Sequence, residues 1–311
     1  MAVLSQECNR SVTMQKLIII LALFIIAGCA DLGEDTDAEP VADFPWPRVP
    51  YQAAWSSEQN DFYIAGGSGI ILRLEGENWE LMESGTERQL NGMWGSSSEN
   101  IFAVGQFGTI LHYNGETWNL MESHVTSNLQ DVWGSSSNSV YVVGFGGTIL
   151  RYDGENWSVF EETGLDILSG IWGTSDENIF VSSTDGVILH FDGKQWNNIS
   201  DGNPPLFSVW GLNADNVYAM GSGGTLLYFD GENWESILSG TTRGLYAMWG
   251  SSPNNKIAVG ISGTLIRYDG RRWQEMEFFT LENLSDIAGN NRGDVIVVGG
   301  HGAIYRNSVL F

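Results

Sequence analysis

Cysteine and positive charge are what this chain has least of. Its two cysteines, Cys8 and Cys29, both precede residue 30 of 311. The rest of the chain therefore holds no disulfide framework, no Cys-based metal site and no thiol nucleophile. Lys and Arg number 14 against 38 Asp and Glu, a formal net charge of -24. A surface that tracks phosphates needs clustered cations, so this balance argues against a nucleic-acid partner. It favours a soluble, monomeric protein instead. The four histidines, His112, His124, His190 and His301, have none of the close spacings that bind metal on one element. We expect neither a metal nor a cofactor. Long apolar runs are also missing. The run Leu17 to Gly28 has the length of a secretory signal core, preceded by Lys16, and is too short to span a bilayer.

What is present is a repeat. Tryptophan recurs at Trp55, Trp94, Trp133, Trp172, Trp210 and Trp249, with Ala288 in the seventh place, and again at Trp79, Trp118, Trp157, Trp196, Trp234 and Trp273. The unit reads W-G-S-S-x-x-N-x-[FY]-x-V-G-x-x-G-T-[IL]-L-x-[YF]-D-G-x-x-W. A period of this size means a solenoid, propeller or array. Between the tryptophans lie runs such as Asn100 to Gly105 and Thr109 to Tyr113, rich in β-branched and aromatic residues and closed by turn formers. None has room for a helix. Four strands per unit, a to d from inside outwards, predict an all-β, seven-bladed β-propeller of four-stranded blades.

The seventh unit ends at Phe311 without a d strand, so the ring is expected to close with the N-terminal strand. Trp46-Pro-Arg-Val49 repeats the pattern of Trp79-Glu-Leu-Met82 and is read as that outer strand, where Pro47 is tolerated at an unpaired edge. Counted this way, every tryptophan belongs to the repeat and none is spare for a sugar platform.

Ile26-Ala27-Gly28-Cys29 resembles the lipobox of bacterial lipoproteins. The resemblance implies cleavage before Cys29 and acylation there, a lipid anchor in the membrane of a bacterial cell envelope, and, with Ala30 following, the outer membrane. Residues 1–28 are read as the signal peptide, with translation starting at Met14, residues 29–43 as the lipidated cysteine and an acidic disordered tether, and 44–311 as the propeller. The tether is too poor in apolar residues to offset its ordering entropy.

The turns Tyr152-Asp153-Gly154-Glu-Asn-Trp157, Phe229-Asp230-Gly231-Glu-Asn-Trp234 and Tyr268-Asp269-Gly270-Arg-Arg-Trp273 resemble the Asp-box of BNR repeats. Such turns join the third and fourth strands of propeller blades in sialidases and many non-enzymatic relatives. The Gly-Thr-[IL]-L strand also resembles repeats of photosystem assembly propellers and of secreted bacterial proteins. The turn is one residue shorter than the full Asp-box and lacks its leading Ser or Thr, so the resemblance implies a fold and not an activity.

A glycosidase needs a carboxylate pair at the scissile bond, and a sialidase adds an arginine triad and a tyrosine nucleophile. Here Arg73, Arg151, Arg267 and Arg306 share one slot of the c strand with His112, His190 and Tyr228, which reads as structural. No spacing pairs the remaining carboxylates, and no catalytic residue is expected. In propellers the b–c and d–a loops surround the central opening on one face. The candidate binding face comprises Gln106, Phe107, Phe145, Thr184, Asp185, Ile261 and His301 of the b–c loops. Phe107, Phe145 and Ile261 are either an apolar contact patch or inward-folding plugs of the channel. The expected function is a non-catalytic, lipid-anchored envelope protein, an interaction or scaffold propeller with a protein partner. The alternative is a carbohydrate-binding or sialidase-like glycoside hydrolase propeller.

Overall fold

In each repeat the residues dictate four strands and three tight turns, and blade 3 shows how. Its strands are Leu129–Ser136, Ser139–Gly144, Thr148–Tyr152 and Trp157–Glu162, paired antiparallel in that order. The c–d turn is held by Asp153, whose Oδ1 accepts the backbone N–H groups of Glu155 and Asn156 at 2.9 and 2.8 Å. Those two bonds hold the Asp153 carboxyl below its usual range. The turn lays Trp157 beside Tyr152, ring centroids 5.2 Å apart. The Asp and Asn residues of these motifs are thus caps of their own turns, as Asp192, Asp230 and Asp269 repeat.

The computed structural model describes residues 39–40, 46–277 and 280–307, all within the unit Thr36–Phe311. They form seven four-stranded antiparallel sheets. Inner strands of consecutive blades touch, and that of blade 7, Leu284–Gly289, touches that of blade 1, Tyr51–Ser56. The protein is a seven-bladed β-propeller. Among the described residues there is no α-helix, only short 3-10 turns.

The core lies between blades rather than within them. Each of seven apolar clusters draws on two neighbours, for example Phe102, Val104 and Ile110 of blade 2 with Leu129, Val140 and Leu150 of blade 3, so one blade cannot bury its own apolar faces alone. The c-strand slot serves as a tie: Arg73 bonds Asp61 at 2.7 Å and His190 lies 2.6 Å from Asn178.

The ring is closed by an N-terminal strand, but by Glu39–Pro40, which pairs antiparallel with Ile304–Asn307 through Glu39 opposite Arg306 and Pro40 opposite Tyr305. Trp46 to Val49, the segment expected there, is not a strand. The reason is reach. The outer strand of blade 7 and the inner strand of blade 1 differ in distance from the axis by three inter-strand spacings, so they stand at least roughly 14 Å apart. Only Pro50 separates Val49 from Tyr51, and one residue extends at most about 3.5 Å. Trp46 and Val49 instead pack on the cluster between blades 7 and 1. The propeller consequently begins upstream of residue 44, inside the stretch read as tether. Cys29, the signal segment and Met14 lie outside the described residues.

Candidate functional site

The inner strands do more than line the axis. In every blade the pairing of the a and b strands slips by one residue near its start, between Leu129 and Asp131 in blade 3 and at the matching place in the other six. A β-bulge of this kind leaves one residue unpaired and re-aims it. The skipped residues are Gln52, Asn91, Gln130, Ser169, Phe207, Tyr246 and Ser285, and all seven line one cavity of about 870 Å³ at the mouth of the ring.

The loops that frame this mouth are pressed together backbone to backbone. Gly108 ends the b–c loop of blade 2 at φ +68°, and a Cβ there would sit 2.0 Å from the Val125 carbonyl oxygen of the d–a connection. Its N–H donates to the Ser127 carbonyl at 2.8 Å. The preceding residue, Phe107, is itself left-handed, φ +55°, a region where bulky side chains are rare. Its N–H donates to Asn128 Oδ1 at 3.0 Å, and the Arg88 guanidinium lies 5.6 Å from its ring centroid.

Of the residues expected on this face, Gln106, Phe145, Thr184 and His301 line the cavity; Phe107, Asp185 and Ile261 do not. Phe107 stands outside with 62% of its surface exposed, and Phe145 is 37% exposed on the wall. Ile261 folds down onto Gly244, where its Cδ1 comes within 2.8 Å of the place a Cβ would take. Asp185 accepts the Asp166 N–H at 3.0 Å and ties two loops. His301 Nδ1 is 2.6 Å from Glu282 Oε2, and Leu281 beside it is 88% exposed.

Two wall residues were not anticipated, Asp131 of blade 3 and Asp286 of blade 7. Each carboxylate bridges to the next blade. Asp131 accepts Val132 N–H at 2.8 Å and Ile171 N–H at 2.9 Å; Asp286 accepts Ile287 N–H and Ala54 N–H, both at 2.8 Å. Burial pushes the Asp131 carboxyl up to about 6 and the Asp286 carboxyl up to about 7, the backbone bonds opposing it. The charge of Asp131 adds to the rise at Asp286. A sequence signal existed: their slot, two residues before the inner tryptophan position, holds Ala53, Gly92, Gly170, Ser208 and Ala247 elsewhere, so two carboxylates break a run of small residues.

Phe207 and Tyr246 add an aromatic pair, centroids 5.3 Å apart. The wall therefore combines amides, hydroxyls, carboxylates and two rings tilted by 52° with apolar side chains such as Met93, Phe145 and Ile167, groups that bind by hydrogen bonding, charge and apolar contact. Among the described residues no group of three or more His, Cys, Asp or Glu is placed to hold a metal ion.

No family model matches the chain, and no curated protein matches it. Solved structures do. A structure of YCF48 bound to D1 peptide superposes with a TM-score of 0.69 at 16% identity, over 86% of this chain and 97% of that one. YCF48 from Cyanidioschyzon merolae gives 0.71 at 14%, over 86% and 98%. The WD40 propeller domain of Doa1 gives 0.73 at 12%, over 86% and 95%. At these identities the likeness is one of fold, and this chain shares with all three the architecture of a β-propeller.

Proposed function

We propose that this chain is a non-catalytic interaction propeller whose b–c and d–a loop face receives a protein partner, held at a bacterial cell envelope by a lipid on Cys29. The observation that carries the binding half is a coincidence on one face. An open cavity of about 870 Å³ is lined by Phe145 and Leu281, with Phe107 outside it on the same loops; these are three of the seven large apolar side chains exposed among the described residues. Apolar groups gathered around a concavity mark an interaction surface. The a–b turns at the other end of the strands are polar, as in Ser136-Ser137-Asn138. The resemblance in fold to YCF48, seen with D1 peptide, supports a peptide or protein as the kind of partner. The anchoring half rests on Ile26-Ala27-Gly28-Cys29, since two acyl chains suffice for stable membrane attachment; Ala30 after the cysteine favours the outer membrane.

The test is photo-cross-linking in cells from a reactive residue placed at Phe107, beside the same residue placed at Asn138 on the opposite face. A discrete protein adduct from position 107 alone supports the reading. Equal adducts from both positions, or none from 107 while a glycan array shows specific binding, overturns it in favour of carbohydrate recognition.

A further inference from the structure

The cavity is unbalanced in charge. Asp131, Asp286 and Glu282 line it, and among the described residues that line it none is a lysine or arginine. Among the described residues that line it, one imidazole, that of His301, lies against Glu282 at the rim. Of the four arginines of the c-strand slot, Arg73 pairs with Asp61, Arg151 with Asp176 and Arg306 with Glu77, and Arg267 does not line the cavity. Asp131 and Asp286 stand on blades 3 and 7, on opposite sides of a seven-membered ring. Each of their oxygens accepts one backbone N–H, which fixes the carboxylates and leaves each oxygen a further lone pair directed to other donors. Phe207 and Tyr246 line the same space, and aromatic rings attract ammonium and guanidinium groups.

Resting on the reading of this face as a protein-binding surface, we propose that the cavity takes a basic side chain, lysine or arginine, carried on an extended segment of the partner. Its charge enters between Asp131 and Asp286, and its apolar neighbours lie on Phe107, Phe145 and Leu281. The charge complementarity is local as well as global, because the whole chain carries -24 and steers cationic partners toward it. The amides of Gln52 and Gln130 supply donors and acceptors for the segment's backbone, while that of Asn91 accepts from Gln89 and donates to the Leu129 carbonyl.

The experiment titrates the isotope-labelled full chain with three probes: a blocked Phe-Gly-Lys-Gly-Leu peptide, the same peptide with norleucine for lysine, and putrescine. The amide resonances of Ala54, Val132, Ile171 and Ile287, the donors to the two carboxylates, report occupancy. The expected result is saturable shifts of these four amides by the lysine peptide, with the norleucine peptide at least about tenfold weaker and with affinity falling as salt is raised from about 50 to about 500 mM. Asp131→Asn with Asp286→Asn removes the preference for lysine. If those substitutions disturb the fold, Glu282→Gln and the salt series in the unaltered protein decide the matter. Equal binding of both peptides overturns the proposal, as does putrescine binding with the lysine peptide silent, which assigns the cavity to small amines. No shift with any probe also overturns it. A position-107 cross-link that persists at full strength in Asp131→Asn/Asp286→Asn leaves the protein-binding reading standing and removes this one alone.

Discussion

The indole of Trp94 in blade 2 fills the space that a side chain on Gly134 of blade 3 would need: a Cβ there would lie 2.6 Å from the ring. The relation recurs from Trp133 to Gly173 and from Trp172 to Gly211. The Trp-Gly dipeptide is therefore two halves of one inter-blade contact, each tryptophan serving the next blade's glycine. Gly134→Ala should cost about 1–3 kcal/mol, the range for overpacking a filled core. In a Trp94→Leu background the same change should cost less, and a double-mutant cycle by urea unfolding measures the difference. Equal costs in both backgrounds would show that the clash is relieved elsewhere.

That contact explains why the architecture was legible. Trp-Gly, the Asp-Gly turns and the apolar b strands recur in each unit because every blade solves the same packing problem, so the period alone announces the ring. The closing strand was misplaced for the converse reason. Glu39–Pro40 joins through backbone pairing on an outer edge, which demands no particular side chain, while Trp46 carries the expected side chain in a place the chain cannot bring to the edge. The cavity wall was missed because a bulge is a backbone event. Gln52, Asn91, Ser169 and Phe207 share no chemistry that would mark them as one ring, whereas apolar residues at the b–c loop tips stand out against a polar background.

Ring closure through two residues predicts a sharp truncation boundary. A chain starting at residue 36 keeps the pairing of Glu39 with Arg306, whereas one starting at residue 46 leaves Ile304–Asn307 as an open edge. The shorter chain should melt several degrees lower, at roughly 2–4 °C per kcal/mol lost in a domain of this size. It should also self-associate in sedimentation, as open strand edges do. Identical melting of the two chains would mean that Trp46 and Val49 alone seal the ring.

Lys256 is the one basic residue in a b-strand position that is apolar in the other blades. It is 1% exposed, and its Nζ lies 5.2 and 4.6 Å from the ring centroids of Tyr218 and Tyr268 and bonds the Pro253 carbonyl. Burial lowers its pKa from 10.5 to about 8. The folded state thus disfavours the charge, so the penalty is complete below pH 8, shrinks as pH rises toward 10.5 and is gone above it. Lys256→Met should be more stable at pH 7 by about 1–3 kcal/mol, and the gap to the wild type should narrow between pH 8 and 10.5. A less stable Lys256→Met protein would show that the two tyrosine faces outweigh the burial.

On the acid side two sets of groups pull in opposite directions. His112 and His190 lie stacked on Phe102 and Phe180 with centroids 4.5 Å apart, and burial lowers both pKa values below 6.5. Their contribution is present above pH 6.5 and is lost as pH falls through the lower folded values. Asp131 and Asp286, raised to about 6 and about 7, contribute stability that is complete below 3.8 and lost as pH rises through the folded values. Replacing both histidines by Gln should therefore leave a protein whose urea midpoint rises from pH 7 to pH 5. Asp131→Asn/Asp286→Asn should show the opposite, a steeper loss over the same interval than the wild type. Parallel pH profiles for all three proteins would remove these four groups from the acid response.

The left-handed backbone of Phe107 separates stability from binding. The corresponding loop position is Gly223 in blade 5, φ +65°, where glycine adopts this conformation without steric cost. A non-glycine residue there carries a penalty of about 1–2 kcal/mol. Phe107 also buries little, with 62% of its surface exposed, so packing does not repay the strain. Phe107→Gly should therefore unfold at equal or higher urea concentration than the wild type. Phe107→Ala keeps the strained backbone without the ring and should gain nothing. If the phenyl ring is held there for a partner, both variants should lose affinity for the protein captured at this position, measured by the same binding assay. A Phe107→Gly protein that binds as well as the wild type would show that the strain serves the loop and not the interaction.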